Sequence, residues 1–183
     1  RLDPSMSIVF GGANCEGALG LELHRRFPAI DYVCSGEADH SFPELVKRIR
    51  SREPVETVPG IVYRRNGESV TTSNGVPVED LDALPYPDYD DYFDQIRQSS
   101  FPFSLCDEVL METSRGCWWG EKSPCTFCGL NGSSIRYRSK SPERAIKEIC
   151  HLTDRYAWRY GIRKLSMVDN VLGQILAAAL IDS

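Results

Sequence analysis

The sequence predicts an α/β protein in which helices cover parallel strands. Two strand-turn-helix units follow one another near the amino terminus, and two further strand-helix pairs follow residue 108. Strands that alternate with helices along a chain favour a parallel, helix-covered sheet. The 183 residues can bury one good core or two small ones, so length alone leaves the number of domains open.

The first two units are defined by short apolar strands. Ser7 to Phe10 is a strand candidate that ends at Gly11-Gly12, and apolar residues at helical spacing then predict a helix that stops before Pro28. A second strand, Ile30 to Cys34, leads through a turn into a helix from about Ser41 to Arg50. We expect these two strands to be parallel.

A β-hairpin and an ordered linker follow. The segments Gly60 to Arg64 and Glu68 to Thr72 flank Asn66-Gly67, the pair best able to adopt the positive φ angles of a tight turn. We expect this hairpin at the edge of the first domain. From Val76 to about Phe103 the chain is rich in proline, aspartate and tyrosine without a sustained period, and we interpret it as an ordered linker.

The second half predicts two more strand-helix pairs. Val109 to Thr113 is a strand, and Ser141-Pro142-Glu143 opens a helix with a cap, a first-turn proline and an acid that the helix dipole favours. Lys164 to Val168 predicts another strand, and Leu172 to Ile181 another helix. The buried stripe of the helix after Ser141 is expected to comprise Ile146, Ile149, Thr153 and Tyr156.

Both halves of the chain contain few strands for their predicted folds. Two parallel strands are too few for a stable open sheet, and a closed barrel needs several more than the second half supplies. We therefore expect a fragment of a longer protein, truncated at both ends.

Composition excludes several classes of protein. The net charge is −5, with acidic residues concentrated from Asp80 to Asp94, which argues against a nucleic-acid binder. No apolar run is long enough to span a bilayer, and no signal peptide is recognisable, so we expect no membrane partner. Seven cysteines without a secretory signal indicate metal ligands or buried thiols in a reducing cytoplasm.

Three cysteines lie within twelve residues directly after a predicted strand: Cys117, Cys125 and Cys128. Three thiolates can hold an iron-sulfur cluster that leaves one iron open to an outside ligand. The same thiolates can hold a structural zinc ion if Cys106, Cys150 or His151 provides a fourth ligand. Spacing alone does not separate these two readings.

At this point the chain resembles the radical S-adenosylmethionine enzymes, and within them the C-methyltransferases that mature ribosomally made peptides. The resemblance rests on the run from Glu112 to Lys122, the seven-residue gap before Cys125, and Phe127 between the last two cysteines. Shorter matches elsewhere extend it over nearly the whole chain: Gly11 to Gly17, Ser35-Gly36-Glu37, Leu84 to Tyr89 and Val168-Asp169-Asn170. The seven-residue gap departs from the common superfamily spacing and is similar to that of this subgroup.

The resemblance implies a set of cofactors and partners. Cys117, Cys125 and Cys128 would hold a 4Fe-4S cluster whose free iron binds S-adenosylmethionine, which is cleaved to a 5'-deoxyadenosyl radical. Phe127 would lie near the adenine, and Asp169 and Asn170 near the methionine moiety. An acid or amide at a strand end also often caps the next helix. The implied partners are a precursor peptide and an electron donor of the flavodoxin or ferredoxin type.

The first domain resembles the cobalamin-binding module that precedes many radical methylases. The resemblance implies that Gly11, Gly12 and the turn Ser35-Gly36-Glu37 lie beside the nucleotide tail of cobalamin. The two glycines also suit a plain strand-to-helix turn. The Asp-x-His-x-x-Gly motif that ligates cobalt in some cobalamin proteins is absent from the sequence.

The predicted architecture is therefore a partial cobalamin-binding Rossmann-like domain, followed by the start of a radical S-adenosylmethionine (β/α) barrel. The expected domain bounds are 1–75 for the first domain, 76–105 for the linker and 106–183 for the second.

Overall fold

The computed structural model describes residues 3, 5–100, 102, 108–128, 135–171 and 173. The chain divides into two units, of which the first comprises residues 1–79 with 124–135 and the second comprises 80–123 with 136–183. Within the described residues, no helix has the length and apolar character needed to cross a membrane. The predicted helix Leu172 to Ile181 lies outside the described residues, except for Gly173.

The first unit contains a four-stranded sheet in the order β1 (Val9–Phe10), β2 (Tyr32–Cys34), β3 (Ile61–Arg65) and β4 (Glu68–Thr71). β1 and β2 are parallel, which confirms the prediction. β3 is antiparallel to β2, and the predicted hairpin places β4 at the outer edge of the sheet. Asn66 and Gly67 have φ angles of 54° and 85°, the left-handed values that a tight hairpin turn needs.

Two helices pack on this sheet: α1 (Gly17–Arg26) and α2 (Ser41–Ser51). Successive residues of a strand point to opposite faces, so Val33 and Cys34 belong to different apolar clusters. Cys34 packs in the cluster that contains Leu45 of α2, whereas Val33 packs in the cluster to which α1 contributes. The sheet is therefore covered on both faces.

The second unit is built on a parallel strand pair. Its elements are α3 (Asp90–Gln98), β5 (Glu108–Met111), β6 (Ser114–Arg115), β7 (Arg138–Ser139), α4 (Pro142–Tyr160) and β8 (Lys164–Met167). β5 and β8 are parallel and in register from Glu108 with Lys164 to Met111 with Met167. The helix α4 lies between them in the sequence, and β6 pairs antiparallel with β7. Parallel strands joined through a helix confirm the α/β class.

Helix α4 begins as the sequence predicts, but its buried face differs from the prediction. The Ser141 hydroxyl accepts a hydrogen bond from the backbone N–H of Arg144 at 3.2 Å, and Gly161, at φ 71°, ends the helix. Thr153, predicted to be buried, is exposed, and Ile146 and Ile149 are half-buried. The stripe that is fully buried consists of Ala145, Glu148, Leu152, Tyr156 and Tyr160. A buried glutamate is not visible as an apolar repeat, which explains the error.

The segment interpreted as a linker contains a helix that the sequence analysis missed. Phe93 of α3 is fully buried and packs in the core of the second unit with Val109, Met111 and Tyr156. The helix is short and rich in aspartate, and although Tyr92, Phe93 and Ile96 lie at helical spacing, Phe93 is its one buried residue. Its position is set by tertiary packing.

Candidate functional site

A cavity of about 490 Å³ opens in the first unit, beside the carboxyl ends of the parallel strands β1 and β2. Ligands of open α/β sheets bind at this edge. The start of α1, the turn after β2 and the chain around the hairpin provide its walls. Its lining residues are Glu16 to Ala18, Leu21, Ser35 to Glu37, Gly60 to Val62, Thr71 to Gly75, and Pro77.

The glycine turn after β1 borders a second, smaller recess of about 180 Å³. Gly12 has φ 91°, a conformation that side-chain-bearing residues rarely adopt, and a Cβ atom there would meet no atom within 4 Å. A Cβ atom at Gly11 would make only ordinary contacts, at 3.8 Å from Cys34. The backbone conformation therefore requires glycine at position 12 and not at position 11.

The turn Ser35-Gly36-Glu37 separates the cavity from the recess and lines both through Gly36 and Glu37. The Ser35 hydroxyl accepts a hydrogen bond from the N–H of Gly17 at 2.8 Å and so caps the start of α1. The Glu37 carboxylate accepts from the N–H of Val78 at 2.9 Å. Gly36 has φ 88° and open space at its Cβ position. Two of these three predicted residues thus also hold the turn in place.

Sequence reasoning missed a close backbone contact under this turn. A Cβ atom at Gly60 would lie 2.9 Å from the Cα of Gly75 and 3.0 Å from the carbonyl oxygen of Ser35. The Gly60 carbonyl also accepts a hydrogen bond from the N–H of Ser35 at 2.8 Å. The only sequence signal was a glycine at the start of the predicted hairpin, Gly60, and another shortly after it, Gly75, and that signal is weak.

The buried histidine of the first unit is held by protein groups. His24 is fully buried, and its ring nitrogens lie 2.8 Å from the Ser69 hydroxyl and 3.0 Å from the carbonyl oxygen of Asp31. Burial lowers the pKa of His24, so the neutral ring is favoured. Both ring nitrogens are thus engaged inside the unit.

In the second unit, Cys117 lies two residues after β6, in a tight loop. Gly116 has φ 79°, and the Cys117 sulfur accepts a hydrogen bond from the N–H of Gly120 at 3.2 Å. Trp118 and Trp119 pack edge to face, with ring centroids 6.1 Å apart. Hydrogen bonds to the cysteine sulfurs are among the features that tune iron-sulfur clusters.

Cys125 and Cys128 lie in the segment that is grouped with the first unit. The N–H of Cys128 bonds to the carbonyl of Cys125 at 3.1 Å, so the two residues form one turn. Both thiols are exposed, and Phe127 between them is 90% exposed. Within the described part of the chain, no three histidine, cysteine or acidic side chains come close enough to hold a metal ion. The ligand assignment remains a prediction.

The described residues do not show which residue would be the fourth ligand of a zinc ion. Cys106 lies outside the described residues. Cys150 is exposed on α4, and the His151 ring stacks on Tyr86 with centroids 4.6 Å apart.

Asp169 follows β8 and holds the segment that leads to Cys117. One of its carboxylate oxygens accepts from the N–H groups of Thr113 at 2.7 Å and Ser114 at 3.0 Å. The other accepts from the Thr113 hydroxyl. Three donors thus occupy the carboxylate predicted to contact the methionine moiety. Asn170, three residues after β8, is exposed.

The fold is that of cobalamin-dependent radical S-adenosylmethionine enzymes. The chain is similar to OxsB, such an enzyme solved with aqua-cobalamin and S-adenosylmethionine bound, with 20% identity, a TM-score of 0.68 and coverage of 96% of this chain and 24% of that one. It is also similar to the radical methyltransferase TsrM from Kitasatospora setae, solved with cobalamin and a 4Fe-4S cluster, with 18% identity, a TM-score of 0.62 and coverage of 94% and 32%.

Among curated proteins, an uncharacterized methyltransferase of Pyrococcus horikoshii is 29% identical over 175 residues. The match covers 93% of this chain and 34% of that relative, so the chain spans about a third of the relative's length. No protein-family model matches the sequence. The predicted fold, a partial Rossmann-like domain followed by the start of a radical S-adenosylmethionine barrel, is confirmed by the structural matches.

Proposed function

We propose that this chain is part of a radical S-adenosylmethionine enzyme that methylates an unactivated carbon of a ribosomally made peptide, with cobalamin as the methyl carrier. The observation that carries the proposal is the shared fold. It extends over 96% of the chain to an enzyme solved with cobalamin and S-adenosylmethionine bound. The segment after β6 that carries Cys117, Cys125 and Cys128, here called the cysteine loop, adds three thiols of the kind that hold iron-sulfur clusters.

Two buried cysteines differ in their surroundings from the three proposed ligands. Burial raises the pKa of the Cys15 thiol and of the Cys34 thiol, which keeps both in the protonated form. Cys125 and Cys128 are exposed, and the Cys117 sulfur already accepts a backbone N–H. The proposed cluster ligands are Cys117, Cys125 and Cys128, the three that the sequence resemblance implies. A cluster held by these thiolates would supply the electron for reductive cleavage of S-adenosylmethionine.

The cavity and the neighbouring recess of the first unit suit a cofactor that approaches the backbone closely. Gly12 and Gly36 both have positive φ angles, and space for a Cβ atom is open at both. Gly36, Ser35 and Glu37 would face the nucleotide tail, with Gly11 and Gly12 beside it. Cobalamin held there would supply the methyl group.

The peptide substrate and the redox partner are proposed from the sequence resemblance. The run from Glu112 to Lys122, with the seven-residue gap before Cys125, is similar to that of the peptide-maturing subgroup. A precursor peptide is therefore the proposed substrate. A flavodoxin- or ferredoxin-type protein in a reducing cytoplasm is the proposed electron donor.

Metal analysis of the full-length protein tests the proposal. After anaerobic reconstitution we expect about four irons per chain with acid-labile sulfide. Alanine at Cys117, Cys125 or Cys128 should each abolish the iron. Alanine at the exposed Cys150, the matched control, should leave it unchanged, as should alanine at the buried Cys15 or Cys34. One tightly held zinc ion without iron would instead support a zinc-stabilised binding module.

A further inference from the structure

A cluster of buried charges lies beside the strand that leads to the cysteine loop. Glu148 of α4 is fully buried, and Lys140 is 3% exposed. The Lys140 ammonium donates to both carboxylate oxygens of Glu148, at 2.9 and 2.7 Å. The Arg144 guanidinium donates to one of the same oxygens at 2.6 Å. Charges in such a dry environment are tolerated only when they are paired and hydrogen-bonded.

The cluster contains two cations and one carboxylate, and backbone carbonyls meet the excess positive charge. Arg144 also donates to the carbonyl oxygens of Asp82 at 3.1 Å and Leu84 at 2.7 Å. Its guanidinium lies over the Tyr86 ring, 3.9 Å from the centroid. These contacts fix Arg144 and therefore the carboxylate of Glu148. That carboxylate in turn fixes the direction of the Lys140 side chain.

Lys140 holds the backbone that precedes Cys117 at two points. Its ammonium donates to the carbonyl of Glu112 at 2.7 Å, and its own N–H donates to the carbonyl of Thr113 at 2.8 Å. The strand before Lys140 pairs with the next two residues of the same backbone, Ser114 and Arg115. Hydrogen bonds from Lys140 and from the strand before it thus hold the backbone from residue 112 to residue 115, which leads into the cysteine loop.

We propose that Lys140 is a positioning residue for the iron-sulfur site, acting through the Glu112 and Thr113 carbonyls and held in place by Glu148 and Arg144. The proposal rests on the proposed function. A buried ion pair adds little net stability compared with apolar side chains of similar shape. We expect its effect to be on geometry, because the ammonium donates to the carbonyl of Glu112, five residues before Cys117.

The test compares variants of the full-length protein after anaerobic reconstitution with iron and sulfide. Lys140→Met removes the ammonium. In that variant Glu148 keeps Arg144 as its partner at 2.6 Å, so the protein is expected to fold. Adding Glu148→Gln gives a second variant without the buried carboxylate, in which Arg144 keeps its hydrogen bonds to the carbonyls of Asp82 and Leu84. Lys140→Arg retains a cation with N–H donors. Lys147→Met, at an exposed position of α4, is the control for loss of a lysine.

We expect both Lys140→Met proteins to hold at least threefold less iron per folded chain than the wild type. The electron paramagnetic resonance spectrum of the remaining reduced cluster should differ from that of the wild type. Lys140→Arg should recover more than half of the iron, and Lys147→Met all of it. Melting temperatures are recorded for each variant in parallel.

Two results separate this proposal from the proposed function. Wild-type protein that takes up no iron overturns both. Wild-type protein with about four irons, together with a folded Lys140→Met/Glu148→Gln variant of equal iron content and identical spectrum, overturns only the positioning role. In that case Lys140 has a purely structural function. A lower melting temperature of the double variant, without a change in iron content or spectrum, does not support the positioning role.

Discussion

At the scale of single residues, the polar groups near the predicted sites are largely engaged by the protein itself. Asp169 binds three donors of the Thr113-Ser114 segment, and Ser35 caps α1. His24 is bonded at both ring nitrogens. These side chains hold the backbone around the sites. Glycines with open space, Gly12 and Gly36, leave room for a ligand.

Asp169→Ala should destabilise the protein by about 2 kcal/mol, because three donors, two of them backbone N–H groups, lose a charged acceptor. Urea unfolding monitored by tryptophan fluorescence measures this change. Asp154→Ala, at an exposed position on α4, is the control and should have little effect. If Asp169→Ala left stability unchanged and reduced only the affinity for S-adenosylmethionine, the carboxylate would contact the cofactor as the sequence resemblance implies.

His24 predicts a pH dependence of stability. Burial lowers its pKa in the folded state, so the unfolded chain binds a proton first as the pH falls below about 6.5. Stability is therefore greatest above that pH and decreases as the pH falls toward the folded-state pKa. Urea midpoints from far-UV circular dichroism at about pH 7.5 and 5.5 should show this loss, and His24→Asn should flatten it. Equal pH dependence in both proteins would contradict this assignment.

At the scale of secondary structure, local signals predicted the elements that depend on local chemistry. The hairpin follows from Asn66-Gly67, and the start of α4 follows from Ser141 and Pro142, both confirmed by backbone geometry. Elements whose buried faces depend on tertiary contacts or on paired charges were not predicted correctly. Helix α3 depends on Phe93, and the buried face of α4 depends on Glu148, whose cationic partners lie four and eight residues earlier.

The contribution of α3 to the second unit gives a stability prediction. Phe93 is fully buried against the rings of Tyr156 and Tyr160, with centroids 5.6 and 5.1 Å away. Phe93→Ala should therefore cost about 3–5 kcal/mol, from lost burial and the cavity that remains. Trp158→Ala, at a 90% exposed aromatic on α4, should change stability by about 0.5 kcal/mol or less.

Urea unfolding is the measurement, followed by tryptophan fluorescence for Phe93→Ala, because all three tryptophans belong to the second unit. The Trp158→Ala control is followed by circular dichroism. A loss below about 1 kcal/mol for Phe93→Ala would mean that α3 is not part of this core.

At the scale of the whole molecule, the sequence resemblance predicted the fold, but it indicated only some of the residues that line the cavity and the recess. The turn Ser35-Gly36-Glu37 borders the cavity of the first unit, and Gly12 borders the smaller recess beside it. The cobalamin role of these turns stays a prediction. Gly60 and Gly75 contribute to that cavity through a close contact between their backbones, and no local sequence motif predicts this contact.

The two proposed cofactors should fail independently of each other. Gly12→Val strains a positive φ angle and places a side chain where the recess is open, so full-length protein should lose most of its bound cobalamin. Its iron content should remain that of the wild type. Cobalamin absorbance and iron are measured on the same folded protein. Unchanged cobalamin binding would reduce the glycines to a structural turn.

The central claim is that Cys117, Cys125 and Cys128 support radical chemistry on S-adenosylmethionine. The most direct test is to incubate reduced, reconstituted full-length protein with S-adenosylmethionine without oxygen and to identify the products. We expect 5'-deoxyadenosine from the wild type and from Cys150→Ala, and none from Cys125→Ala. Formation of S-adenosylhomocysteine alone, without deoxyadenosine under any reducing condition, would contradict the claim and indicate ordinary polar methyl transfer.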